Sequence, residues 1–216
     1  ISSASPKKLT IELLKDIPTI QILRYNESLK SDFIGIDDRL SAKIATNHLL
    51  SLGHVHVGYV GGVMGVNTGL NRLEGFKEAF SEHHIVPNSD MIKTGSVRSA
   101  FAKEAIKVLF AEKDKPTAIV SAGARVTLGI LAGFKDLGLR IPEDISIVGY
   151  TDQPWMTGWG NGITTVSAPF AKAGKIAGKL LLKRIAQKQS IAKTNGQPER
   201  HIFYPDLILR GSTKKI

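Results

Sequence analysis

The chain has no cysteine. Disulfides and thiolate metal sites are therefore excluded, and a reducing compartment fits. It also has no apolar run near the roughly 18 residues that a membrane span requires, so no membrane association is expected. The opening ISSASPKK lacks the basic segment and apolar core of a secretory leader. Acid is scarce: 19 Asp and Glu stand against 29 Lys and Arg, for a formal net charge of +10. The scarcity is partly local. No acid stands between Phe170 and Pro198, a stretch that carries Lys172, Lys175, Lys179, Lys183, Arg184 and Lys188. The tail adds Arg210, Lys214 and Lys215. Such an excess suits a polyanionic partner, yet no zinc finger, RNP sequence or homeodomain pattern accompanies it. Its ordinary reading is a solvated helix face and a frayed terminus.

Several chemistries are missing as well. Gly58, Gly61, Gly62 and Gly65 follow neither the dinucleotide nor the P-loop spacing. No G-x-S-x-G elbow is present. His54 with His56, and His83 with His84, have no third ligand at metal-binding spacing. No cofactor and no metal are expected, and no constellation of nucleophile, base and orienter supports an enzyme.

What is present is a soluble, globular composition, 42% hydrophobic and 22% charged over 216 residues. That length suffices for one large or two smaller domains. The most informative stretch is HLLSLGHVHVGYVGGVMGVNTGLNRLEGF, His48 to Phe76. A helix should stop at Gly53, a buried strand should run over Val55 to Val60, and a tight turn should follow at Gly61-Gly62. A helix should then open near Leu70, with Arg72 in its first turn. Ligands of open α/β sheets sit beyond the carboxyl ends of the strands, where that arginine would reach.

The same alternation continues. Helices are expected from Pro6 through KKLTIELLK, then over 40–52, 70–82, 99–112, 126–137 and 169–189. Asp37 should cap the second of these. Strands are expected over 17–23, 32–36, 55–60, 91–94, 118–121, 145–148, 163–166 and 202–210, with a turn at Thr194-Asn195-Gly196. Repeated βα units predict parallel sheets with helices on both faces. Ile1-Ser2-Ser3 reads as the tail of a strand already under way. Too few strands then precede Asp37 to complete a covered sheet, so an N-terminal part is expected to be missing.

HLLSLGHVHVGYVGG, Arg72-Leu73-Glu74-Gly75-Phe76, PTAIVSAGARVTLG, LGLRIPEDISIVGYTD and ITTVSAPF follow in order across almost the whole chain. Together they resemble the effector-binding domain of LacI/GalR-family transcription regulators. The resemblance implies an α/β, periplasmic-binding-protein-like type I fold with two doubly wound parallel-sheet subdomains and three crossovers. The N-terminal subdomain would be incomplete, comprising 1–36 and 167–199; the C-terminal one would comprise 37–166 and 200–216. It implies a cytoplasmic homodimer that binds a small effector, a sugar or sugar acid. The helix Leu128–Phe134 would supply the dimer surface. Operator DNA would be met only through the missing N-terminal region. A solute-binding protein of a sugar transport system is the alternative.

By that resemblance Arg72 matches an effector-binding arginine, Phe170 a cleft aromatic, and Asp152 the second acid of a Gly-Tyr-Asp-Asp segment. Thr151 replaces the first acid. Gly123-Ala124-Arg125 stands where the family has Asn-Asp-Gln, and Val97 where an aromatic often stacks. The usual sugar acceptors are thus absent, and Arg125, Trp155 and Trp159 are offered as ligand contacts instead. Two arginines without those acceptors lean toward a sugar acid. The plain alternatives are an ion pair of Arg72 with Glu74 or Glu78, surface charge for Arg125, core packing for the aromatics, and a backbone-bonded turn for Asp152.

Overall fold

The computed structural model describes residues 8–189 and 197–216. The expected helix start at Pro6, the strand tail at Ile1 and the turn at Thr194 lie outside them. The chain divides into two compact units: Ile1–Asp37 with Ala168–Tyr204, and Asp38–Ser167 with Pro205–Ile216. No described helix is long and apolar enough to cross a membrane.

The first unit holds helix α1 (Lys8–Leu14), strands β1 (Ile20–Ile22), β2 (Asp32–Ile36) and β8 (Arg200–Phe203), and helix α7 (Phe170–Gln189). The strands form a parallel sheet in the order β1-β2-β8. Ala173, Ala177 and Leu180 of α7 pack on Ile34, with Ile20, Ile176 and Phe203 around them. The spacing of these α7 residues places them on one helical face. Phe33 points the other way and meets Tyr25 edge-on at 5.1 Å between centroids. A bidentate pair ties helix to sheet: Arg184 Nε and Nη2 donate to the two oxygens of buried Asp32, both at 2.8 Å. Burial opposes the charge on Asp32. Arg184 and the Glu199 backbone N–H overcome it and hold the carboxyl below its usual range.

The second unit is a six-stranded sheet in the order β4-β3-β5-β6-β7-β9. Its strands are β3 (Val57–Val60), β4 (Ile92–Lys93), β5 (Ala118–Ser121), β6 (Ser146–Tyr150), β7 (Thr165–Ser167) and β9 (Asp206–Ile208). All are parallel except β9, which runs antiparallel to β7. Side chains alternate across it as a two-residue period demands. Val57, Tyr59, Val120 and Val148 face α2 (Asp38–Ser51) and α3 (Asn67–Glu82). Val60, Ile119 and Ile147 face α4 (Ser99–Ala111) and α5 (Ala124–Asp136). Glycines let paired helices touch at their backbones. A Cβ on Gly75 would lie 1.9 Å from the Arg39 carbonyl oxygen, and one on Gly129 would lie 2.1 Å from that of Ser99.

Three expectations are corrected. The strand expected over 202–210 is two strands in two sheets: β8 pairs with β2, β9 with β7. Between them stand Tyr204 and Pro205, and proline has no N–H to continue a ladder. The boundary near Arg200 therefore falls at Tyr204/Pro205. Helix α3 starts at Asn67 rather than Leu70, so Arg72 lies in its second turn. Gly69 hid that start; it is required because a Cβ there would come 2.2 Å from the Val63 carbonyl oxygen. The aromatic loop, finally, contains a short helix, α6 (Pro154–Thr157).

The basic tail is not frayed. Ser212 Oγ donates to the Ile147 carbonyl at 2.7 Å, and the Ile216 N–H to the Leu52 carbonyl at 3.0 Å. His54 bridges Thr117 Oγ1 at 2.9 Å and the Lys214 carbonyl at 3.0 Å; His48 reaches Thr213 Oγ1 at 3.0 Å. Burial depresses both histidine pKa values, helped for His48 by the nearby His54; for His54 it outweighs the hydrogen bond to the Lys214 carbonyl, which favours the charged form. The unfolded chain thus binds more protons below the ordinary histidine value, and stability falls as pH drops through that window. Melting temperature should decline from about pH 7.5 to about pH 5, less steeply in His48→Gln. A flat profile, or equal slopes, would contradict this role.

Candidate functional site

The site is built in the second unit, where β3, β5 and β6 end. Arg72 projects from α3. Three residues on, Gly75 brings α3 against the first turn of α2, at Arg39. That approach sets Asp38, the first residue of α2, beside the guanidinium. Arg72 Nε donates to Asp38 Oδ1 at 2.7 Å, and Nη2 lies 2.6 Å from the same oxygen. Arg72 Nη1 donates to the carbonyl of Ala122, just past β5, at 2.6 Å. The Tyr150 ring, at the end of β6, lies under the guanidinium 3.9 Å from its carbon, and the Tyr150 hydroxyl donates to Asp38 Oδ1 at 3.0 Å. The side chains of Arg72 and Asp38 are only 16% and 4% exposed.

The electrostatics follow from that enclosure. Burial disfavours a charged Arg72, but Tyr150, Asp38 and Tyr59 more than offset it, and the pKa is raised. Burial, against the pull of Arg72, pushes the Tyr150 hydroxyl up to about 12, so it stays a donor. Tyr59 is likewise raised, chiefly by burial. Its hydroxyl is buried with no hydrogen-bond partner among the described residues. Asp38 gains further from the N-terminal end of α2, where negative charge is favoured. The group can therefore present both an acceptor and charge-assisted donors while remaining neutral as a pair.

The other expected residues are distributed unevenly. Thr151 directly follows Tyr150; its backbone is left-handed, at φ 67°, and its N–H donates to the Val166 carbonyl at 2.8 Å. Arg125 is exposed in the first turn of α5, three residues beyond Ala122. Both follow, along the chain, residues that touch Arg72: Tyr150 and Ala122. Asp152 is held by Arg210, whose Nη2 donates to Oδ2 at 2.9 Å and whose Nη1 lies 2.8 Å from Oδ1. It closes a loop rather than bonding its own backbone. Trp155 packs partly buried against the core around α4 and α5. Trp159 lies elsewhere: with Leu131, Phe134 and Lys135 it lines a groove of about 230 Å³ beside the carboxyl half of α5. That half leads back to the amino end of β6, the opposite end of the sheet from Arg72. Phe170 is the first residue of α7, half-buried, and belongs to the other unit.

Neither Glu74 nor Glu78 pairs with Arg72. Glu78 bonds Arg39 and Lys43, and Glu74 faces Lys77. Asp38 and Tyr150 were the partners missed by sequence reasoning. Asp37 and Asp38 are adjacent acids at the start of one helix, and the local sequence does not say which of them turns inward. The available signal was chemical: an arginine on the inward face of a helix needs a counter-charge. Among the described residues no cluster of three or more His, Asp or Glu could hold a metal.

A family model described as a periplasmic binding protein-like domain matches residues 46–213. A repressor of Aliivibrio salmonicida, named HTH-type transcriptional repressor PurR, is 33% identical over 175 residues, or 80% of this chain and 50% of its own length. This chain thus spans about half the length of that curated relative. A transcription regulator from Lactobacillus plantarum superposes with a TM-score of 0.86 at 24% identity, covering 98% of this chain and 79% of its own. A LacI family transcriptional regulator from Enterococcus faecium with bound ribose does so at 0.84 and 25% identity, covering 100% and 79%.

Replacing Asp38 by Asn leaves a buried guanidinium without its counter-charge, although one hydrogen bond can survive. Urea unfolding of Asp38→Asn should show a loss of about 3 kcal/mol. Glu74→Gln, at an exposed pair, should change stability by less than about 0.5 kcal/mol. Equal effects would refute the assignment of Asp38 as the partner.

Proposed function

Because this chain belongs to the periplasmic binding protein-like family, as found in LacI-type transcriptional regulators, we propose that it is the effector-sensing part of a DNA-binding regulator. Its ligand is a small, neutral, polyhydroxylated molecule of the sugar class. The observation that carries the reading is the Arg72–Asp38 pair. Asp38 and Ala122 engage three of the five guanidinium N–H groups, leaving two for a ligand oxygen. Asp38 places a carboxylate at this centre although Thr151 stands where an acid is expected. An anion approaching Arg72 would meet the Asp38 carboxylate on the same guanidinium, so the lean toward a sugar acid is reversed. The ribose bound to the Enterococcus faecium relative is of the favoured class.

Sensing then requires that the ligand bind two conformations of the protein with different affinity. In this reading the response is passed to operator DNA through a region outside these 216 residues. The reading also has the protein act as a homodimer through the outer face of α5. There Leu128 and Trp159 remain 41% and 40% exposed, an arrangement suited to an interface anchor.

Calorimetry against neutral pentoses and hexoses and their matched acids tests the ligand class. A neutral sugar should bind at least about tenfold more tightly than its acid, a difference of about 1.4 kcal/mol. Arg72→Lys, which keeps the charge but loses the fork, should abolish that binding. Tighter binding of the acid would contradict the proposal. For the dimer, Leu128→Glu should sediment as a monomer where the unchanged chain sediments as a dimer; a monomer in both cases removes that part.

A further inference from the structure

The Tyr59 hydroxyl is a buried polar group that the ligand reading leaves without a task. The side chain is 0% exposed, and its oxygen has no hydrogen-bond partner among the described residues. A hydroxyl taken out of water and left unpaired is destabilising. Phenylalanine would pack the same core without that cost, so the oxygen calls for a partner of another kind.

Sheet and helix together aim that oxygen at the guanidinium. Tyr59 stands in register with Val120 of β5, and Val120 with Val148 of β6. Ala122 and Tyr150, which hold Arg72 by a carbonyl and a ring, come two residues later on the same face of the sheet. The Tyr59 ring lies against that of Phe76, 5.2 Å between centroids. Arg72 precedes Phe76 by one turn of α3 and so shares its face, nearer the strand ends. The hydroxyl points the same way: a Cβ built on Gly62, beyond the end of β3, would lie 3.5 Å from the Tyr59 oxygen. Arg72, Asp38 and Tyr150 are all close enough to act on its ionisation.

The chemistry of this corner suits one water molecule, which needs two to four polar partners when buried. Tyr59 supplies an O–H. Arg72 supplies N–H groups, because Asp38 and Ala122 engage only three of its five. Full burial of Tyr59 keeps a ligand atom from reaching it directly, which favours water over a sugar hydroxyl as its partner.

We infer that Tyr59 is a positioning residue of the recognition centre: its hydroxyl and one Arg72 N–H hold a buried water between them, which fixes the guanidinium and leaves its last N–H for the ligand. The effect on affinity rests on the ligand reading; the water does not.

Tyr59→Phe removes one oxygen atom and little else. Oxygen-17 relaxation dispersion counts water molecules held for longer than the protein takes to tumble. It should find one fewer in the variant than in the unchanged chain. The melting temperature should fall by about 2 °C or more. For a neutral sugar that binds the unchanged chain, Kd should rise at least about fivefold. An equal water count overturns the inference. So does a melting temperature that stays level or rises, the result of deleting a hydroxyl that has no partner. Equal sugar affinity with one water fewer overturns the positioning role. If no sugar binds the unchanged chain, the ligand reading fails, and the water count and melting temperature still decide whether Tyr59 holds a water.

Discussion

A desolvated charge pair governs the second unit. Arg72 and Asp38 are both removed from water, and each would be strongly unfavourable alone. Together they are bound by direct contact, by the Tyr150 hydroxyl, and by the Ala122 carbonyl on the far side of the guanidinium. The pair exists only because α2 and α3 approach to backbone distance at Gly75. It therefore couples three features: the packing of two helices, the carboxyl ends of β5 and β6, and the polar centre that a ligand would meet. The carbon frame fixes the pair, and the pair fixes which charges the site can show.

Around it the sheet does ordinary work. Alternation along β3, β5 and β6 sends side chains to two cores, one under α2 and α3, the other under α4 and α5. The tail is fastened beneath by Ser212, His48 and His54. Rigid strands thus end at a cluster of helix starts, the arrangement in which α/β sheets place ligands. The first unit uses the same devices on a smaller scale, with Arg184 and Asp32 in place of a larger apolar core.

Much of this was legible in the sequence. The β-branched runs and the glycines after them marked β3 and β5, because buried parallel strands and tight turns both have strong local signatures. Arg72 was found because a strand, a turn and a helix in that order put its position near the strand ends. Asp38 was not found. Its role depends on a contact between residues 34 positions apart, and nothing local distinguishes it from Asp37. The division of 202–210 was hidden for a related reason: a strand's periodicity does not say which sheet it joins. The separate placements of Trp155 and Trp159 were not legible, because aromatic residues in a glycine-rich loop look alike until the loop is folded. Short helix α6 turns Trp155 toward the core and leaves Trp159 at the far end of the sheet.

On the proposed reading, the recognition centre is neutral, pre-positioned and shared between donor and acceptor. Such a centre discriminates by hydrogen-bond geometry more than by charge. Two-dimensional NMR of the arginine Nε–H groups examines it at its centre. The account predicts that Arg72 Nε–H gives a solvent-protected signal in the free chain, assigned by its loss in Arg72→Lys, and that a neutral sugar shifts it without exposing it to exchange. A signal that exchanges freely with water, or one that stays unmoved by a sugar that demonstrably binds, would contradict the account.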